Sequence, residues 1–123
     1  MNNSLIPIFG ASVTALLGIL AIFLPTIIEK FISVKAEGKL GMSEIKATYG
    51  GFFLGIASFA LITQESNAFF ALGFGWISAA TIRLITLCFG YYSLRNMAAV
   101  MFELIIGLMC LANFIPYILP RRY

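Results

Sequence analysis

Glu44, Lys46 and Tyr49 crowd into the stretch 43–55, Ser-Glu-Ile-Lys-Ala-Thr-Tyr-Gly-Gly-Phe-Phe-Leu-Gly, and Arg83 and Glu103 each interrupt a long apolar run further along the chain. A carboxylate, a phenol and a guanidinium that meet inside an apolar body can hold a polar head group, pass a proton, or pair with one another as a structural bridge. On a helix, Glu44, Thr48, Gly51, Gly55, Ser58 and Ile62 fall on one stripe, so the carboxylate shares its face with residues small enough for another backbone to approach. Glu44 is therefore expected to face protein. Arg83 stands about six residues before the end of its apolar run and Glu103 about six after the start of the next, which in an antiparallel hairpin puts both roughly 9 Å inside the same edge. A lone Arg at mid-helix costs about 2.5 to 3.5 kcal/mol on insertion scales, so the two charges are expected to pair. Chain reversal brings the start of the 44–63 segment to that edge as well. The expected cluster, ligand-binding or structural, is Glu44, Tyr49, Arg83 and Glu103.

The elements that position this cluster belong to a membrane protein. Of 123 residues, 61% are hydrophobic and 11% charged, and the mean hydropathy is +0.99, whereas a soluble domain carries about 25% charged residues. That length accommodates one domain, 1–123, of about four spanning helices. No histidine is present, which removes the commonest haem and zinc ligand and the usual near-neutral proton carrier. Neither a metal nor any other cofactor is expected, nor is a nucleic-acid partner. Cys88 and Cys110 form no CxxC pair and are expected at depths about 20 Å apart, too far for a disulfide; both read as small buried apolar side chains.

Apolar runs and polar breaks predict helices over about 5–29, 44–63, 68–89 and 97–119, joined by short turns and by one interfacial connection over 30–43. The fold class is all-α, an integral membrane bundle of four antiparallel transmembrane helices. The run from Leu5 to Ile28 lacks the basic start and cleavage pattern of a secretory signal and reads as a retained helix. In it, Gly10, Thr14, Gly18 and Ala21 form a small-residue stripe, and Gly18 is expected to pack on Gly51 and Gly55. Gly38 and Gly41 read as helix breakers, and Ser43 as an N-cap with Glu44 as a first-turn acid. On the last helix, Ala99, Glu103, Gly107, Cys110, Asn113 and Tyr117 share a face, a polar line that reads either as a path or as interhelical hydrogen bonding. Lys30, Lys35, Lys39, Lys46 and Arg95 mark one edge and Arg121 and Arg122 the other, so the positive-inside rule puts the first edge in the cytoplasm and the termini outside.

The spacing Glu44-x-Lys46-Ala47-x-Tyr49-Gly50-Gly51, followed by Gly55, Arg83 and Glu103, resembles a bacterial family of small four-helix integral membrane proteins classed as a domain of unknown function, whose second helix carries an E-x-R-A-x-Y-G-G signature. The resemblance covers most of the chain from Glu44 onward and implies a multi-pass protein of the bacterial inner membrane. Here Lys46 stands where Arg is usual and lacks its bidentate fork. The family carries no activity across. With 12 Phe and almost no soluble part, the first expectation is a non-catalytic accessory or structural subunit whose helix faces recognise a larger membrane complex or further copies of itself. The alternative is binding or transport of a lipid or small amphiphile at the polar cluster. An enzyme ranks third, because no nucleophile-and-base pair or metal set stands out.

Overall fold

Pro25 decides where the first helix stops. A proline crowds the residue before it out of the helical region, and in the computed structural model, which describes residues 5–115 and Leu119, Leu24 takes φ −129° and ψ 57°. The single helix expected over 5–29 is accordingly two, α1 over Leu5–Phe23 and α2 over Pro25–Ile32, the proline sitting in the first turn of the second, where no N–H is needed. Among the described residues the chain is all-helical.

The connection after α2 is shorter than the expected 30–43. Ser33 ends α2 in the left-handed region at φ 58°, and the Ala36 N–H donates to Glu29 Oε1 at 2.7 Å, so a carboxylate of α2 ties the loop back. Gly38, at φ 63°, opens α3 over Gly38–Ile45, which runs without a break through a π-helical segment, Lys46–Phe52, into α4, Phe53–Thr63. Ser43 and Glu44 thus sit inside a 26-residue rod and cap nothing. A glycine within a helix costs only about 1 kcal/mol against alanine, and Gly41 lies where the incoming loop crosses: a Cβ there would stand 3.3 Å from Ala36 Cα.

Gln64 turns the chain at φ 54° into α5, Ser66–Cys88. Positive φ recurs at Gly90 before α6, Leu94–Cys110, which Ser93 caps by accepting the Asn96 N–H at 3.0 Å. The expected 68–89 agrees closely with α5, whereas α6 ends nine residues before the expected 119, its last carbonyls taken by the turns over 111–114. Helix α1, the α3–α4 rod and α5 are long and apolar enough to cross a membrane; α6 has 17 residues, about 26 Å at 1.5 Å per residue. Asn3, Tyr117, Arg121 and Arg122, and with them the side on which the termini lie, fall outside the described residues.

Close backbone approach holds the helices together. Gly10, Thr14, Gly18 and Ala21 are all buried on α1. A Cβ on Gly18 would stand 2.8 Å from Leu54 N and 2.9 Å from Gly50 O. Gly50 is therefore the glycine that meets α1, and the expectation for Gly51 and Gly55 is corrected: both are exposed, with nothing within 4 Å of a Cβ. The π segment is the reason. Its wider turn adds a residue to the repeat, so Ile45 and Gly50, five apart, are both buried, and the inward face continues through Ala57 and Ala60 instead of the stripe beginning at Glu44. Helices α5 and α6 run antiparallel, with Arg83 against Glu103, Gly107 against Ile77, Gly73 against Leu111 and Phe70 against Phe114. At the centre Trp76 Nε1 donates to Thr14 Oγ1 at 3.0 Å, and that hydroxyl donates to Gly10 O at 2.9 Å, so both buried polar groups are satisfied.

Candidate functional site

Helix α5 lies closely on α6 and only lightly against α4, and the space left between them is a chamber of about 1080 Å³. Its α5 wall is low because Ala71, Gly75 and Ala79 line it at four-residue intervals. Opposite stand Phe52, Phe53 and Ile56 of the rod; Phe31 and Ile32 of α2 and Val34 of the loop close one end. An edge-to-face series of rings runs through the lining, Tyr49 to Phe53 at 5.8 Å, Phe53 to Trp76 at 5.4 Å, Trp76 to Phe102 at 5.9 Å and Phe102 to Phe31 at 5.7 Å. Such pairs fix ring orientation beyond what burial alone supplies.

One end of the chamber is polar, and Arg83 is its centre. Its Nε donates to both Glu103 oxygens at 3.1 Å, its Nη2 to Glu103 Oε1 at 2.8 Å and its Nη1 to Asn96 Oδ1 at 3.1 Å. The Asn96 amide donates in turn to Tyr91 O at 3.0 Å, and the Thr86 hydroxyl to Arg83 O at 2.6 Å, which binds the α5–α6 turn to the pair. Glu103 is buried, its side chain 9% exposed, while the Arg83 side chain keeps 35%. The carboxylate is thus satisfied by protein and the guanidinium still reaches the chamber. Tyr49 lines the same chamber, as do Tyr91, Tyr92 and Arg95.

Of the four residues expected to cluster, Arg83 and Glu103 pair, and Tyr49 lines the same chamber. Glu44 does not. It is exposed and outside the lining, because the π segment buries the neighbouring Ile45 and turns Glu44 outward; Lys46 is exposed beside it. The polar line on α6 stops at Glu103 as far as the chamber is concerned, since Gly107 is packed against Ile77 and Cys110 against Gly10. Cys88 is exposed, against the expectation of burial, while Cys110 is buried, and both are free thiols. Asn96, Arg95, Trp76 and the ring series went unforeseen. Asn96 had a readable signal: it precedes Glu103 by seven residues, two helical turns, and so shares its face. Among the described residues no three His, Cys, Asp or Glu converge as a metal site.

Compared with known protein families, with characterised proteins and with solved structures, the chain finds no match.

Proposed function

We propose that this chain is a multi-pass protein of the bacterial inner membrane, akin to the small four-helix family that its Tyr49-Gly50-Gly51 signature resembles, and that it binds a lipid or small amphiphile within its helix bundle. In this reading α1, the α3–α4 rod, α5 and α6 are four antiparallel spans. The edge carrying Lys30, Lys35, Lys39 and Arg95 faces the cytoplasm. The observation that carries the binding reading is the chamber: apolar along α4 and α5, polar only around Arg83, and at about 1080 Å³ close to the upper size of small-molecule sites. An amphiphile matches that division, its tail along the ring series and its head at the guanidinium. Tails would reach it sideways, between α4 and α5, where those helices touch least.

An accessory-subunit role, the first expectation from composition, rests on apolar helix surfaces, which every spanning helix exposes to lipid. The chamber is the more specific feature. Purification in a gentle detergent followed by native mass spectrometry tests the choice: a stoichiometric amphiphile on wild-type protein, displaced when Gly75→Phe fills the α5 wall, is the expected result. Stable protein partners with no bound amphiphile would instead favour the accessory subunit.

A further inference from the structure

The chamber's charges specify the head group more narrowly than its shape does. Among the described residues, Arg83, Arg95 and Glu103 are the only Asp, Glu, Lys or Arg residues in its lining, a net of one positive charge. Glu103 is fully occupied by Arg83. A guanidinium has five N–H donors, and Arg83 spends three of them, the Nε N–H and one on each Nη, so one N–H on each Nη stays open to an acceptor oxygen. Tyr49, Tyr91 and Tyr92 also line the chamber, and Arg95 brings a second guanidinium that no carboxylate of the described lining neutralises.

We propose that the chamber selects an amphiphile whose head bears one negative charge on oxygen, a phosphodiester or a carboxylate. The inference rests on the amphiphile reading above and sharpens it. A zwitterionic head would bring an ammonium beside Arg95 and Arg83 with no free acid to receive it, which works against binding. A doubly charged head would exceed the single net positive charge of the lining. From Arg83 the lining extends along α5 to Leu72 and Ala71, about 17 Å at 1.5 Å per residue, room for an alkyl tail running away from the head.

Competition in native mass spectrometry tests this, using detergent-solubilised wild-type protein and phosphatidylglycerol, palmitate, phosphatidylethanolamine and inorganic phosphate as probes. Phosphatidylglycerol or palmitate should be retained about tenfold over phosphatidylethanolamine, and the better of the two identifies a phosphodiester or a carboxylate as the source of the charge. Inorganic phosphate should not be retained. Arg95→Gln, an exposed position outside the ion pair, should erase most of that preference. Equal retention of phosphatidylglycerol and phosphatidylethanolamine would overturn the selectivity while leaving the amphiphile reading intact. An anionic preference untouched by Arg95→Gln would overturn it too, as mere attraction to a basic surface, and retention of no amphiphile at all would sink both.

Discussion

Arg83 and Glu103 are unequal partners, and their exposure says which loss is worse. Arg83→Met leaves the Glu103 side chain, 9% exposed, with no cation, and breaking a buried pair from one side costs about 3 to 5 kcal/mol. Glu103→Gln should cost less, about 1 to 2 kcal/mol, because the guanidinium keeps Asn96 and is partly reached by solvent. Arg83→Met combined with Glu103→Leu removes both charges and should recover much of the larger loss. Unfolding in detergent across the three variants is the measurement, and strict additivity would show that the residues act independently. Their pairing was legible because hairpin geometry fixes depth: two charges equally far from one turn lie at one level, and the cost of leaving either unpaired favours the rotation that joins them. Glu44 was not legible in that way, since its direction depends on helix phase.

The elements show why phase failed. Between Ile45 and Phe53 the chain reads Lys-Ala-Thr-Tyr-Gly-Gly-Phe, where neighbouring glycines make two registers look alike, and a π segment that shifts the phase leaves no mark in so uniform a pattern. The structure settles on Gly50 against Gly18. Substitutions there separate the two registers. Gly18→Ala should be the more damaging single methyl, by about 1 to 3 kcal/mol, because its Cβ would meet backbone at Leu54 N and Gly50 O; Gly50→Ala should cost less, its closest contact being the Ile22 side chain at 2.6 Å. Gly51→Leu and Gly55→Leu, with nothing within 4 Å, should leave the melting temperature in detergent nearly unchanged. A large loss at Gly51 with none at Gly50 would restore the α-helical register and remove the π segment. The same local chemistry explains the split of the first helix: Pro25 was visible in the sequence, but only Leu24 driven from helical geometry shows that it breaks the helix.

At the scale of the molecule, composition gave the class directly, while the chamber was out of reach, because it arises from α5 leaning on α6 and away from α4, an angle that no residue pattern specifies. Orientation can still be tested. The loop at Ser33 and Val34 and the turn at Tyr91–Arg95 border one chamber, so the basic residues on both connections gather at one edge, the arrangement on which the positive-inside rule acts. The 26-residue rod over Gly38–Thr63 is about 39 Å long at 1.5 Å per residue, more than the ~30 Å hydrocarbon core, so Lys39 and Glu65, near its two ends, must emerge on opposite sides if it spans. With Cys88 and Cys110 first replaced by serine and alanine, Lys39→Cys should resist a membrane-impermeant thiol reagent in intact cells and Glu65→Cys should react; both should react after lysis. Labelling of residue 39 and not 65 would invert the protein in the membrane and leave its fold standing. Labelling of both in intact cells would mean that the rod does not cross, and the chamber would then lie in water, where a tail along the ring series would have no lipid from which to enter.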